Sequence, residues 1–323
     1  INFYKIMLRT RVFDQKAINL QRTGKLGTYA SSLGQEAIGV ALGAAMHAND
    51  VLAPTYRDYA VQLSRGIKMS DLLLYWGGDE RGMDYEFSRE DLPICVPIAT
   101  HTCHAVGIAY AMKLRKQPRV MVCIIGDGAT SKGDFYEALN AAGVWQLPVI
   151  FVINNNQWAI SLPRDKQSAT KTLAQKAVAA EIYAEQVDGN DVIACYERMH
   201  EFIERARTGG GPCLLEAISY RLSDHTTADD AQRYRSPTDV EEQWQFEPIS
   251  RLKTYLLENQ FIDAEALDAL QKQAEQEVEE QVKIYLNTAT QRPEAMFDYL
   301  YETLPEALQS QRDEVMRKGK KHE

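Results

Sequence analysis

The chain has 323 residues, of which 45% are hydrophobic, 25% charged and 9% aromatic, an ordinary make-up for a globular protein with a large core. It excludes disorder, collagen and coiled coil as whole-chain readings, and a net charge of −9 supplies no overall positive field for nucleic acid or anionic lipid. Cys95, Cys103, Cys123, Cys195 and Cys213 are odd in number and contain no CxxC pair, which fits reduced thiols in a cytosol-like compartment rather than a disulfide scaffold or a zinc site. No apolar run reaches the ~20 residues of a membrane helix. The chain opens on Ile1 without a methionine, pointing to missing N-terminal residues, and its first stretch is amphipathic rather than a signal peptide. A cytoplasmic enzyme or enzyme subunit is expected.

A helix is predicted over residues 1–22, where Phe3, Ile6, Met7, Val12 and Phe13 fall near helical spacing. After a turn-rich stretch at 23–27, GQEAIGVALGAAMHAND reads as a second helix. Its small Gly39, Ala41, Gly43, Ala44 and Ala45 call for a close neighbour, and packing on a sheet meets that need. Val51-Leu52-Ala53 is a short strand stopped by Pro54 and followed by Thr55-Tyr56-Arg57-Asp58. Residues 119–125 form an apolar run, as expected of a strand buried on both faces, and it stops at Gly126-Asp127-Gly128. A helix from Gly133-Asp134 leads to the next buried strand, 148–153, which halts at Asn154-Asn155-Asn156. Strand, helix and strand make a βαβ unit with a parallel pair. EIYAEQ is read as helix-like with a strand over 185–187; a helix over 192–207 and a strand over 213–218 follow. Residues 223–236 are polar and poor in apolar anchors, hence a long loop of the functional kind, expected to be held by charge pairs among its aspartates and arginines and by ligand contacts. Residues 249–281 are helical, and the terminal RKGKKHE reads as a disordered basic tail. The fold class is α/β, a parallel sheet flanked by helices, with residues 1–248 as one domain and 249–323 as a helical extension.

In open parallel sheets, ligands bind beyond the carboxyl ends of the strands. Asp127 and Asn156 stand 29 positions apart, each directly after a buried strand, so they can converge. A carboxylate and an amide oxygen are hard donors suited to Mg²⁺ or Ca²⁺. The glycines flanking Asp127 let a diphosphate approach the backbone, and the following helix N-terminus favours anions. A turn with Asn-rich punctuation would explain either motif alone; the pair at this spacing is the stronger signal.

GDGATSKGDFYEALNAAG and NNNQWAIS together resemble the thiamin-diphosphate motif of the E1 α subunits of 2-oxo acid dehydrogenase complexes. LGQEAIGVALGAAMHANDVLAPTYRDYA, PIATHTCHAVGIAYAMK, QVDGNDV, GPCLLEAISYRLSDHTTADDAQRYRS and EPISRLKTYLL extend the likeness over residues 7–312. The resemblance implies a thiamin-diphosphate-binding fold with Mg²⁺ on Asp127, Asn156 and the carbonyl of Trp158. Tyr56 and Arg57 would hold the diphosphate, which suits the guanidinium fork, and Gly126, Gly128 and Ala129 would line it. Ile98 would support the aminopyrimidine through its backbone. His225 matches the active-site histidine, expected to titrate near neutral pH and act as a proton donor. Arg221, Tyr234 and Arg235 would order its loop, in which Thr226 and Thr227 match positions phosphorylated in some relatives.

The implied reaction is oxidative decarboxylation of a 2-oxo acid with transfer of the acyl group to a lipoyl group on an E2 partner. No motif supplies the carboxylate needed at the aminopyrimidine ring; in this family it comes from the β subunit, so an α₂β₂ assembly is implied. Branched-chain relatives carry a monovalent-cation site in the segment matching residues 95–101, where only Thr100 keeps an oxygen donor beside Cys95 and His101. His101 and His104 are unusual there and read as substrate-facing or packed, with packed favoured, and His47, His200 and His322 as unmarked. A self-sufficient transketolase-like enzyme is disfavoured by the lack of a second domain of adequate length. A non-catalytic subunit is disfavoured by retention of Asp127, Asn156 and His225. TYRDYA, GDFYEALN and KTLAQKAVAA lean toward pyruvate-type subunits, VDGNDV and EPISRLKTYLL toward branched-chain ones, with pyruvate favoured.

Overall fold

The computed structural model describes residues 1–319. Helix α1 (Asn2–Arg22) and helix α2 (Glu36–Ala45) precede strand β1 (Val51–Ala53). Two short helices, α3 (Tyr59–Ser64) and α4 (Met69–Trp76), and the longer α5 (Thr100–Leu114) lead to β2 (Met121–Gly126), α6 (Gly133–Trp145) and β3 (Val149–Asn155). A two-stranded hairpin, β4 (Trp158–Ala159) with β5 (Leu162–Pro163), and the one-turn α7 (Arg164–Gln167) follow. The chain then runs through β6 (Tyr183–Asp188), α8 (Val192–Arg207), β7 (Cys213–Ile218), α9 (Pro237–Trp244), α10 (Pro248–Glu258) and α11 (Ala264–Asn287).

Five strands form one parallel sheet in the order β1-β2-β3-β7-β6. The alternation of side chains along β2 and β3 sorts them between two cores. Val120, Val122, Ile124, Ile150 and Val152 join α1, α2 and α8 on one face. Met121, Cys123, Ile125, Val149, Phe151 and Ile153 join α5 and α6 on the other. Both faces are covered, which is why these strands tolerate no polar residue until they end. Helix α10 contributes Ile249, Leu252 and Leu256 and helix α11 contributes Leu267 and Ala274 to the first of these cores.

The structure departs from the sequence reading in three places. EIYAEQ is not helical: from Tyr183 it is edge strand β6, paired with β7 from Tyr183↔Cys213 to Asp188↔Ile218. Edge position lets its Glu and Gln face solvent, so helix-favouring composition loses to the ladder. The small face of α2 meets a helix rather than the sheet. A Cβ on Gly39 would stand 2.7 Å from Ala60 Cβ and 2.8 Å from Val61 N, both at α3. Finally, Arg317 and Lys318 belong to the helix Glu306–Gly319 instead of a disordered tail; residues 320–323, with His322, lie outside the described residues.

Replacing Gly39 by Leu tests the α2–α3 approach. The helix propensity gained is about 1 kcal/mol, whereas overpacking costs about 1–3 kcal/mol and more where backbone must shift. A lower midpoint of thermal unfolding is therefore expected; an unchanged or higher midpoint would refute the close packing.

Candidate active site

The carboxyl ends of β1, β2 and β3 and the loop after β7 open onto one cleft of about 430 Å³. Register explains the convergence: Gly126 pairs with Asn154 across β2 and β3, so Asp127, one residue on, and Asn156, two residues on, start from neighbouring strand ends. Tyr56, Arg57, Ile98, Gly126, Asp127, Gly128, Ala129, Asn156, Trp158 and His225 all line this cleft. Three non-glycine residues around it have left-handed backbone, Ala99 (φ 66), Gln157 (φ 71) and Ile160 (φ 56). Such conformations persist where the surroundings over-determine them, and they cluster at functional sites.

Asp127 begins a 3₁₀ turn, Asp127–Ser131, and is 2% exposed. Its Oδ2 is buried without a hydrogen-bond partner, and burial pushes its carboxyl up to about 6. A buried carboxylate oxygen left unsatisfied is costly and is the kind of donor that a cation relieves. Asn154 and Asn156 are oriented by one acceptor, Oε1 of Gln35, which receives their Nδ2 groups at 3.1 and 3.0 Å. That leaves the Asn156 Oδ1 pointing to the Trp158 N–H at 3.2 Å. Gly128 is held tightly: a Cβ there would sit 2.9 Å from Ala159 Cβ. At Gly126 a Cβ would meet nothing within 4 Å.

Near these donors lie three buried guanidiniums, Arg57, Arg221 and Arg235, of which Arg57 lines the cleft. Among the described residues none of them forms an ion pair with a carboxylate; they donate mainly to carbonyls. Arg57 reaches the Ser31 carbonyl and the His225 carbonyl, the latter at 3.0 Å. Arg221, 0% exposed, reaches the carbonyl of Ile160 and the hydroxyl of Tyr234, each at 2.8 Å. It also approaches the Trp158 carbonyl at 3.4 Å. Arg235 donates to the carbonyls of Arg221 and Ser223. Unpaired positive charge of this density suits an anion.

His225 corrects the sequence reading of a histidine that titrates near neutral pH. Burial, together with Arg57 and Arg221, lowers its pKa to about 4. Arg57 Nη2 and Arg221 Nη1 stand 3.2 and 3.4 Å from its Nδ1. A guanidinium can only donate, so Nδ1 is a bare acceptor and the ring proton sits on Nε2. The imidazole is thus a neutral N–H donor, packed edge-on to Tyr56 with ring centroids 6.1 Å apart.

The loop is held differently from the charge pairing expected. Asp229 accepts from the His225 N–H at 2.8 Å, Asp224 from Ala231 at 2.9 Å and Asp230 from Gln232 at 3.3 Å. Short aspartates reach nearby backbone before they reach a distant arginine. Thr227 clasps the segment after α1 twice, accepting from the Tyr29 N–H at 3.0 Å and donating its own N–H to the Tyr29 carbonyl at 2.8 Å. His101 is packed, Nε2 on the Ile124 carbonyl at 2.7 Å, but His104 is exposed on the outer side of α5, a correction to its packed reading. Gln35 escaped the sequence reading; the only signal was an amide just before a helix. Asp58 and Gln167 also line the cleft without having been marked.

Fold and cleft together define a class, an α/β protein that gathers its functional residues beyond the carboxyl ends of a parallel sheet. The chain belongs to the dehydrogenase E1 component family, whose family model matches residues 4–294, and within it to the 2-oxo acid dehydrogenase E1 α chains. It is 39% identical over 315 residues to the pyruvate dehydrogenase E1 component subunit alpha of Mycoplasma pneumoniae, covering 98% of this chain and 88% of that one. With the subunit of the same name from Acholeplasma laidlawii it shares 41% over 284 residues, 88% and 82% of the two chains. With the 3-methyl-2-oxobutanoate dehydrogenase subunit alpha of Mycobacterium tuberculosis (strain H37Rv) it shares 45% over 253 residues, 78% and 69% of the two chains.

The tautomer of His225 can be read by NMR of the imidazole nitrogens. The ring is expected to stay neutral with hydrogen on Nε2 down to a midpoint near pH 4. Arg57→Met or Arg221→Met, which remove positive neighbours, should raise that midpoint; a midpoint at the ordinary histidine value in the parent would refute the arrangement.

Proposed function

We propose that this chain is the α subunit of a two-chain, cytoplasmic E1 that oxidatively decarboxylates pyruvate and passes the acyl group to the lipoyl group of an E2 partner. The observation that carries the reading is one cleft holding an orphaned carboxylate oxygen on Asp127 and the guanidinium of Arg57, which has no carboxylate partner among the described residues. Those are complementary halves of a site for a diphosphate bound through a divalent cation. Thiamin diphosphate is the cofactor that the E1 family implies, and when bound it supplies carbanion stabilisation at the 2-oxo carbon.

The residues take these parts. Asp127, Asn156 and the Trp158 carbonyl would hold Mg²⁺, to which they offer hard oxygen donors. Tyr56 and Arg57 hold the diphosphate, and the backbone of Gly126, Gly128 and Ala129 lines it. Ile98 supports the aminopyrimidine. His225 offers its Nε2–H to negative charge developing on the substrate or on lipoyl sulfur, as a hydrogen-bond donor that keeps its proton.

A companion β chain is supported by two features. Besides Asp127, the cleft holds one other carboxylate, Asp58, and it is spent on the Thr55 N–H and hydroxyl at 2.6 and 2.7 Å. A carboxylate for the aminopyrimidine therefore has to come from outside the described residues. The outer side of α5 and α6 leaves Tyr110, Leu114, Tyr136, Val144 and Trp145 exposed, an apolar face of the sort that a partner covers.

Two measurements test this reading. Asp127→Ala should abolish Mg²⁺-dependent binding of thiamin diphosphate in calorimetry. In the parent that binding should weaken as pH falls through about 6, because proton and Mg²⁺ compete for one carboxylate. Unchanged affinity in the variant would defeat the cation assignment. A reconstituted α plus β assay with an artificial electron acceptor should favour pyruvate over 2-oxoisovalerate by roughly 10-fold or more, the scale at which a pocket discriminates small apolar groups. The reverse preference would support the branched-chain reading, which the 45% identity to the mycobacterial subunit favours.

A further inference from the structure

Behind the cleft, two buried charged side chains tie together the turns from which the cation donors project, and neither lines the cleft itself. Glu216, on β7 and 1% exposed, accepts from Asn155 Nδ2 at 2.7 Å through Oε1. Its Oε2 accepts from the Ala174 N–H at 2.9 Å and Gln186 Nε2 at 2.8 Å. Asn155 in turn accepts from the Gln157 N–H and Nε2 at 3.2 and 3.0 Å, which pins the turn containing Asn156. On the other side, Ala174 opens a 3₁₀ turn, Ala174–Ala180, that carries the buried Lys176. Lys176 Nζ donates to the carbonyl and hydroxyl of Thr130 at 2.8 and 2.9 Å. The same hydroxyl donates to the Asp127 carbonyl at 2.8 Å. The result is one unbroken path from the Asn156 turn through Asn155, Glu216, Ala174, Lys176 and Thr130 to Asp127.

We propose that Glu216 and Lys176 are positioning residues that fix the separation of Asp127 from Asn156 and thereby set both the affinity and the size preference of the cation site. The inference rests on the reading of Asp127 and Asn156 as cation ligands. Its physical basis is that all three groups facing Glu216 are donors, so only a carboxylate satisfies them; an amide at this position would turn N–H groups toward Asn155 or toward Ala174 and Gln186. Lys176, likewise, donates its hydrogen bonds to oxygen acceptors alone. Outer groups of this kind orient the ligands, and their loss costs about 10- to 100-fold in metal affinity. A group serving the fold alone would weaken every cation alike. A group fixing ligand separation would not, because Mg²⁺ demands a tight octahedron whereas Ca²⁺ accepts longer and more irregular bonds.

The test is titration of the full chain, co-purified with its companion chain, with Mg²⁺ and separately with Ca²⁺ at fixed thiamin diphosphate, following tryptophan fluorescence, to which Trp158 in the cleft contributes. Glu216→Gln is expected to raise the Mg²⁺ concentration for half-saturation by about 10- to 100-fold and that for Ca²⁺ by clearly less. Lys176→Met, acting through the Asp127 turn alone, should shift the ratio in the same direction, and it carries the test if Glu216→Gln does not fold. Equal weakening of both cations, or none, in protein whose binding still depends on cation overturns the positioning role. Binding that ignores both cations in the parent, and ignores Asp127→Ala as well, overturns the cation-site reading itself and this proposal with it.

Discussion

Strands β2 and β3 are covered by helices on both faces, and that constraint governs where chemistry can stand. A polar side chain within either strand would be buried in one of two apolar cores, at a cost of a few kcal/mol without a partner. Function is therefore displaced to the first residues beyond the strands, where the backbone turns out of the ladder. Because the strands are parallel, all such points lie on one side of the sheet. Asp127 after β2, Asn156 after β3, Arg221 after β7 and Arg57 after β1 are four outcomes of one geometric rule.

The charges gathered there are poorly satisfied by the protein itself. Asp127 keeps a bare buried oxygen, and Arg221 is buried enough for its pKa to fall to about 10. Elsewhere in this chain, half-buried arginines have carboxylate partners, as Arg65 has Asp91 at 2.6 Å and Arg207 has Asp50 at 2.7 Å. The contrast separates structural from functional burial. Paired charges stand at the amino-terminal side of the sheet; unpaired ones of both signs, Asp127 and Arg57, line the cleft, an arrangement that clusters at binding sites.

The regular elements were legible from sequence because periodicity reports burial directly: α8 and β7 have the bounds that the apolar pattern implied. What stayed hidden depends on neighbours distant along the chain. Strand β6 draws its pairing from β7, which local composition does not encode. The glycines of α2 answer to Ala60 and Val61 rather than to a sheet. Among the candidate site residues, sequence named those that follow a strand end or sit within a motif. It missed Gln35, whose role exists only because the chain folds back more than a hundred residues to meet Asn154 and Asn156. It also misjudged His225, since the two guanidiniums that determine its tautomer come from different strand ends.

That last point links the charge pattern to the chemistry of the loop. Arg57 presents positive charge to the cleft, and together with Arg221 it fixes Nδ1 of His225 as an acceptor. An anion bound against them neutralises part of the field that depresses the imidazole pKa, so by linkage anion binding and imidazole proton affinity rise together. With the cleft empty, the ring is a neutral donor with little tendency to take up a proton. With an anion present, the same Nε2–H faces the same space while the ring becomes more basic. A loop tied at Thr227 to the segment after α1, and at Asp229 to the His225 backbone, keeps the ring in place while its electrostatics change. The proton affinity of His225 is therefore set by the charge at Arg57 and Arg221 rather than by the intrinsic pKa of a histidine.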